Sequence, residues 1–237
     1  MRAPVIVSLL CAAACSKSES KAPPATPPAP TGPTAPAPAP GTTATAPTPA
    51  PAPAPTSVVI GKPAPDFTLD DLDGKPVSLA SFKGKTVVLE WWNPQCPYVV
   101  KTHTKGPLTG TAKKYSDAGI VWLAINSGGE GKQGFEPAAN TEALAAWALT
   151  HPVLRDVDGK VGKAYGATNT PNMFVIDPAG NVVYAGAPDN SPDGESASPT
   201  GGTLVNYLDA ALADVAAGRP VATPVTKPYG CGVKYAS

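Results

Sequence analysis

The stretch Thr86-Val87-Val88-Leu89-Glu90-Trp91-Trp92-Asn93-Pro94-Gln95-Cys96-Pro97-Tyr98-Val99 decides the fold of this chain. Its first half is a short, almost wholly apolar run that predicts a buried β-strand. Pro97 suits the first position of a helix, so Cys96 is predicted to be the residue that precedes a helix N-terminus. Unpaired amide N–H groups and the helix dipole at that point favour a thiolate, which makes Cys96 a predicted nucleophile.

Glu90 lies six residues before Cys96 on the same predicted strand. Strand alternation places Glu90 and Trp92 on one face of the strand, and Leu89 and Trp91 on the other. A carboxylate in so apolar a run is costly unless it has a function. One interpretation is a buried acid below the sulfur that exchanges a proton through water. The other is a Glu near the strand end that pairs with a Lys, and we favour the proton role.

The rest of the chain from residue 57 predicts an α/β domain. Two buried strands joined through a helix favour a parallel pair at the centre of the sheet. In chain order, the predicted elements are a hairpin of Phe67–Asp70 and Pro76–Leu79, the buried strand above, a helix over about 97–118 bent at Gly106-Pro107, a buried strand Ile120–Ile125, a helix Thr141–Leu149 capped by Thr141, a hairpin of Met173–Ile176 and Val182–Tyr184, and a helix Leu204–Ala217.

The run Val87–Val99 resembles the active-site segment of the thioredoxin-like superfamily. Trp92 and Glu90 match the Trp and the buried acid before the first Cys of Cys-x-x-Cys in thioredoxin and TlpA-type proteins, and Thr170-Pro171 matches their cis-Pro. The chain is most similar to the redoxin group related to AhpC/TSA peroxiredoxins. Three segments carry that similarity: Cys96-Pro97-Tyr98-Val99, Gly131-Lys132-Gln133-Gly134 and Tyr229-Gly230-Cys231-Gly232-Val233-Lys234-Tyr235.

The resemblance spans about residues 58–217 and implies a thioredoxin-like fold. Such a fold has a central mixed sheet with helices on both faces, here with an N-terminal β-hairpin extension. It also implies a thiol-based oxidoreductase of antioxidant type that acts on a disulfide or a peroxide through Cys96, with Glu90 managing the proton. The residues implied to line the substrate cleft are Trp92, Pro97, Tyr98, Thr170 and Pro171.

Cys231 is the predicted partner of Cys96, because Val99 stands where a Cys-x-x-Cys motif has its second Cys. An N-cap thiolate and a tail Cys flanked by Gly230 and Gly232 could act as attacking and resolving thiols. A permanent disulfide that ties down the tail is the alternative. We favour the redox-active pair, since a glycine-flanked tail can leave the site and return.

Three functions stay open at this point. The first is thiol–disulfide exchange, the second is a peroxidase, and the third is an anchored binding or scaffold domain with a structural Cys96–Cys231 disulfide. No organic cofactor or metal is implied, but an external thiol reductant is. Without residues 1–56 the chain carries 15 basic and 17 acidic side chains, so its charge gives no reason to bind nucleic acid.

The first 56 residues differ in composition from the domain at 57–237. Residues 1–15 read as an export signal whose end, Ala12-Ala13-Ala14-Cys15, resembles the lipobox of bacterial lipoproteins. Cys15 is therefore the predicted lipidation site, although an ordinary secretory signal cut near Ala14 is the alternative. Residues 16–56 form a Pro/Ala/Thr-rich linker without a core. The predicted location is the bacterial cell envelope, lipid-anchored to the outer membrane.

Overall fold

The computed structural model of the protein describes residues 58–236. The predicted signal segment 1–15, the lipidation site Cys15 and the linker 16–56 lie outside the described residues and stay predictions. Within 58–236, none of the helices combines the length and the apolar character that crossing a bilayer requires.

A seven-stranded mixed sheet forms the centre of the described domain, in the order β2-β1-β5-β4-β3-β7-β8. A separate two-stranded ribbon joins β6 to β9. The strands are β1 Thr68–Asp71, β2 Pro76–Ser78, β3 Val87–Trp91, β4 Val121–Asn126, β5 Val153–Arg155, β6 Asn169–Thr170, β7 Asn172–Ile176, β8 Val182–Gly186 and β9 Cys231–Gly232. The helices are α1 Pro97–Thr104, α2 Thr111–Asp117, α3 Pro137–Ala146, α4 Lys160–Tyr165 and α5 Tyr207–Ala216, with a 3-10 turn at Leu79–Phe82.

The central strand β3 confirms the expected parallel pair. All five of its residues are buried, and it runs parallel to β4 and antiparallel to β7. Glu90 therefore lies level with Ala124 on one side and with Met173 on the other. Both predicted hairpins are present as antiparallel pairs, β1 with β2 and β7 with β8.

The side chains of β3 divide the core between the two faces of the sheet, as strand alternation requires. Leu89 and Trp91 pack on one face with Phe174 and with Tyr165 of α4. Val88 packs on the other face in a cluster that includes residues of α2 and α5. Helices therefore cover both faces, which confirms the predicted thioredoxin-like architecture. A third cluster, which contains Trp92, Cys96 and Val99, lies where β3 ends.

The single bent helix predicted over about 97–118 is wrong in its middle. Helix α1 ends at Thr104 and α2 begins only at Thr111, so the chain is not helical around Gly106-Pro107. Pro107 lacks an amide hydrogen for the helical ladder. A Cβ on Gly106 would overlap the carbonyl oxygen of Gly194, so this turn packs closely against another loop.

The predicted cap of the next helix is also wrong. Helix α3 begins at Pro137, with Glu136 as the preceding cap residue, four residues before Thr141. Pro137 occupies the first turn, where its missing N–H costs nothing. Thr141 lies inside the helix and its hydroxyl donates to the Pro137 carbonyl. The short elements β5, α4, β6 and β9 were not predicted.

Candidate active site

Cys96 lies between the end of β3 and the start of α1, and it is the N-cap residue of α1, as predicted. Its sulfur is fully buried and lies 3.2 Å from the Thr170 carbonyl oxygen, to which the thiol can donate. The Thr170-Pro171 peptide bond is cis. The structure thus brings Cys96, Thr170 and Pro171 together, as predicted.

Cys231 packs in the same cluster as Cys96 and hydrogen-bonds with it, and both cysteines are free thiols. Burial alone would raise the pKa of the Cys96 thiol. Hydrogen bonds with the Cys231 thiol and the backbone amides of Val99 and Cys231 are among the causes that outweigh burial and lower that pKa. Burial and the charge of Cys96 raise the pKa of Cys231 to about 11. Cys96 is therefore the cysteine of the pair that loses its proton first, and the Cys231 thiol can then donate to it.

Strand β9 holds Cys231 at this place by pairing antiparallel with β6. Thr170 is opposite Cys231 and Asn169 is opposite Gly232 in the register of the two strands. We call residues 229–236, which run along this edge, the C-terminal strand. The side-chain amide of Asn169 also donates to the Gly230 carbonyl across 3.1 Å.

Glu90 lies on β3 with its carboxylate fully buried. Its partner is not the Lys of the alternative interpretation: Oε1 is 2.8 Å from Nε2 of His103, and the indole N–H of Trp122 donates to Oε2 across 3.1 Å. Burial alone would raise the pKa of Glu90, but the charge and hydrogen bond of His103, with a smaller contribution from Trp122, lower it. Glu90 is therefore ionised at neutral pH.

A group of aromatic rings surrounds this carboxylate. We call Trp92, His103, Trp122, Trp147 and His151 the His–Trp cluster. His103 stacks on Trp147 at 5.4 Å between centroids, and Trp92 meets both rings edge-on. Trp92 and Trp147 also pack in the apolar cluster that contains Cys96. The cluster therefore links Glu90 to the residues beneath the sulfur.

The sequence similarity of the chain agrees with this geometry. The redoxin family matches residues 60–201, which is more than half of the chain. The chain belongs to the redoxin family. A thiol-disulfide oxidoreductase ResA from Geobacillus thermodenitrificans is 34% identical over 135 residues, which cover 54% of this chain and 68% of that protein. The ResA protein of Bacillus subtilis is 32% identical over 127 residues, which cover 54% and 66%.

Two solved structures resemble this redoxin over most of their length. A hypothetical protein from Sinorhizobium meliloti 1021 superposes with a TM-score of 0.64 at 29% identity, covering 76% of this chain and 96% of that chain. An uncharacterised conserved protein from Geobacillus kaustophilus gives 0.62 at 29% identity, covering 75% and 93%. The predicted family, fold and enzyme class are confirmed: this redoxin is a thiol-based oxidoreductase.

The other predicted substrate residues of the redoxin differ in their exposure. Pro97 is exposed and Tyr98 half-buried, so both reach the surface beside Cys96. Trp92 is only 1% exposed, and its indole N–H donates to Oδ1 of Asn140 across 2.9 Å. The structure therefore places Trp92 in the core rather than in an open cleft.

His151, in the loop before β5, is buried rather than solvated. The ring is buried against Trp92 and Trp122, and neither ring nitrogen has a hydrogen-bond partner among the described residues. Burial lowers the pKa of His151 to about 4, with the charge of Glu90 opposing this shift. The contact of His103 with Glu90 joins α1 to β3, and nothing in the sequence analysis predicted it.

The Gly131-Lys132-Gln133-Gly134 segment was predicted only as a motif, and the structure gives it a contact. Gly134 donates its amide to the Gln95 side chain across 2.9 Å, and Asn93 donates to the Gln133 carbonyl across 3.1 Å. The segment therefore fixes the loop that precedes Cys96.

Within residues 58–236, no group of three or more His, Cys, Asp or Glu side chains is arranged to hold a metal ion.

Proposed function

We propose that this redoxin exchanges thiols with the disulfides of partner proteins, with Cys96 as the attacking thiol and Cys231 as the resolving thiol. The observation that carries the proposal is the contact of the two thiols at the start of α1. There the pKa of Cys96 is lowered and the pKa of Cys231 is raised. An attacking cysteine must ionise readily, while a resolving cysteine can stay protonated until the mixed disulfide has formed, and the two pKa shifts favour these roles.

The exchange proceeds in two balanced steps. The Cys96 thiolate attacks one sulfur of the partner disulfide, the S–S bond breaks, and the leaving thiolate takes a proton from solvent. Cys231 then loses its proton and attacks Cys96, which forms the Cys96–Cys231 disulfide and releases the second partner thiol. The partner gains two electrons and the redoxin loses two. An external thiol reductant restores the free thiols for the next cycle.

Glu90 is the proposed acceptor for the proton that Cys231 releases. Its lowered pKa keeps the carboxylate ionised, so it begins in the form that accepts a proton. Once Cys96 is bound to the partner, its negative charge is gone, and one cause of the raised pKa of Cys231 is removed. Resolution thus becomes easier only after attack has occurred.

Two observations favour a disulfide over a peroxide as substrate. The relatives described above are named thiol-disulfide oxidoreductases. The two arginines of the described chain are also engaged elsewhere: Arg155 lies over the Phe135 ring, and Arg219 pairs with Asp214. Neither guanidinium contacts Cys96, so neither assists the departure of a peroxide oxygen there.

The partner protein is proposed to contact the surface formed by Pro97, Tyr98, Thr170 and Pro171. Pro97 and Tyr98 reach the surface, while the Thr170 backbone lies against the reactive sulfur.

We also keep the lipid anchor at Cys15 and the envelope location as proposals, supported by the sequence of residues 1–15. An oxidising compartment outside the cytoplasm supplies the disulfides that this chemistry consumes.

The test uses the reduced full chain with insulin, and separately with hydrogen peroxide, under a dithiol reductant. Cys96→Ser should lower insulin reduction by at least about 1,000-fold, because the nucleophile is lost. Cys231→Ser should accumulate a mixed disulfide at Cys96, detected by mass spectrometry. Peroxide consumption faster than insulin reduction would favour a peroxidase. A Cys96–Cys231 disulfide that resists the reductant would leave only a structural bridge.

A further inference from the structure

The edge of β6 beside Cys96 is occupied by the protein's own C-terminal strand. A two-residue strand next to a reactive sulfur offers backbone N–H and C=O groups to any extended chain. Here the register places Cys231 opposite Thr170, at the position where a partner cysteine would meet Cys96. The C-terminal strand therefore lies as a bound partner segment would lie.

Four further hydrogen bonds fix this strand: two join backbone atoms, and two use tyrosine hydroxyls. Val233 donates its amide to the Thr168 carbonyl across 3.1 Å, and the Lys234 carbonyl accepts from the Gly129 amide across 2.8 Å. The Tyr235 hydroxyl donates to the Ala167 carbonyl across 2.7 Å. The Tyr229 hydroxyl donates to Asp189 across 2.8 Å. Backbone pairing of this kind can be exchanged for pairing with another chain without regard to its side chains.

The docked strand also explains why the reactive sulfur is not accessible. Cys96 is 0% exposed, although its helix begins at the protein surface with the exposed Pro97. Cys231 contributes both its thiol and its backbone amide to the surroundings of Cys96. A disulfide of another protein cannot approach Cys96 along the edge of β6 while Cys231 remains there.

We propose that the C-terminal strand is a removable shield that competes with the partner segment for the edge of β6. Its release exposes Cys96 for attack on a partner disulfide, in which one S–S bond breaks and a mixed disulfide forms. Its return brings Cys231 to Cys96, forms the intramolecular disulfide and displaces the reduced partner segment from the edge. This inference rests on the proposed function, since it concerns access to the same two thiols.

The glycines on either side of Cys231 provide a matched pair of variants. Gly230 has φ +104°, and a Cβ there would overlap the Thr170 carbonyl oxygen, so Gly230→Ala should undock the strand. A Cβ on Gly232 would meet only the Thr168 carbonyl oxygen at 4.0 Å, so Gly232→Ala should leave the strand docked. Tyr235→Ala, which removes the distal anchor, is a second undocking variant.

The experiment measures alkylation of Cys96 in the reduced full chain by a bulky maleimide, located by mass spectrometry of the Cys96 peptide. Gly230→Ala and Tyr235→Ala should be labelled about tenfold faster than wild type or more, while Gly232→Ala stays within about twofold. A fluorescent cysteine peptide is then bound to Cys96 as a mixed disulfide. Its release should be fast in wild type and Gly232→Ala, and about tenfold slower in the undocked variants.

Equal labelling of Cys96 in wild type and both undocked variants, with circular dichroism showing that all are folded, would overturn the shield. Equal release rates of the peptide would overturn the coupling of strand return to partner displacement. A failure of the proposed function looks different, because Cys96 would then form no mixed disulfide with the peptide in any variant. Faster labelling of the undocked variants would still support the shield in that case.

Discussion

Two regions of very different construction pack against Cys96, the His–Trp cluster and the C-terminal strand. The cluster is made of large side chains, and both Glu90 and Trp92 within this region are at most 1% exposed. The C-terminal strand is half-buried and is attached mainly by hydrogen bonds to the backbone of β6 and its neighbours. One region stabilises the domain through burial, while the other is proposed to detach without opening the core. The four predictions below test this difference, in order of decreasing effect.

The largest effect is expected on the cluster side, from Glu90→Ala. The change removes the acceptor of both His103 and Trp122 and leaves their buried N–H groups without a partner. Loss of the buried carboxylate that these groups contact should lower the free energy of unfolding by about 3–5 kcal/mol. Urea unfolding of wild type and variant measures this change in the free energy of unfolding. Asp117→Ala, which breaks the exposed pair with Lys113, is the control and should leave the stability nearly unchanged. If Glu90→Ala and Asp117→Ala lowered the free energy of unfolding equally, the proposed role of the His–Trp cluster in stability would be contradicted.

His151 should make the stability of the cluster depend on pH. Its pKa is about 4 in the folded protein against an ordinary value of 6.5, because burial disfavours the charged ring. Between these values the unfolded chain binds a proton and the folded chain does not, so stability is present above pH 6.5 and is lost as the pH falls toward 4. The loss should reach roughly 3 kcal/mol.

The measurement is the free energy of unfolding of wild type and His151→Phe at several pH values from 7.5 to 4. The variant should show a flatter decline, since it carries no ring that gains a proton on unfolding. If the two slopes agree, another group is responsible for the acid sensitivity of the domain.

Trp92→Phe should have a smaller effect within the same cluster. The change removes the N–H that donates to Asn140 and leaves space beside Cys96. A loss of about 1–3 kcal/mol in the free energy of unfolding is expected. Trp147→Phe is a suitable comparison, because Trp147 is only half-buried. A larger loss in the free energy of unfolding from Trp147→Phe than from Trp92→Phe would contradict the prediction that the more deeply buried Trp92 contributes more to stability.

The smallest effect is expected on the strand side, from Tyr235→Phe. The change removes one hydrogen bond, to the Ala167 carbonyl, which is worth about 1 kcal/mol. Amide hydrogen exchange should increase within residues 229–236, while exchange in β3 and β4 stays as in wild type. Faster exchange throughout the sheet would show that the C-terminal strand is part of the core and not a separate unit.

Much of the sheet could be predicted because its signals are local. Strand β3 follows from an unbroken apolar run, and the β7–β8 hairpin from the turn residues Asp177 to Gly180. Strand β5 has three residues and α4 has six, so neither is long enough for periodicity to show. The helix cap at Glu136 was missed because Thr141 is the better intrinsic cap, and Pro137 decided the start instead.

The candidate site was predictable at Cys96 and Glu90 and less so in their partners. The position of Cys96 follows from the sequence between a strand and a proline, and the need for a Glu90 partner follows from its apolar neighbours. The partner itself, His103, depends on how α1 packs over the sheet. The pairing of β6 with β9 joins segments about 60 residues apart in the sequence, and no local pattern in two residues announces it.

The Asn140 side chain depends on having both a carbonyl oxygen and an –NH₂ group. Its carbonyl oxygen accepts from Trp92 and Asn126, and its –NH₂ group donates to the carbonyl oxygens of Gly134 and Glu136. Deamidation would replace that –NH₂ group with an oxygen and set it against two carbonyl oxygens in a dry interior. Asn140→Asp would therefore loosen the Gly131–Gly134 loop, although position 140 is remote in sequence from either thiol.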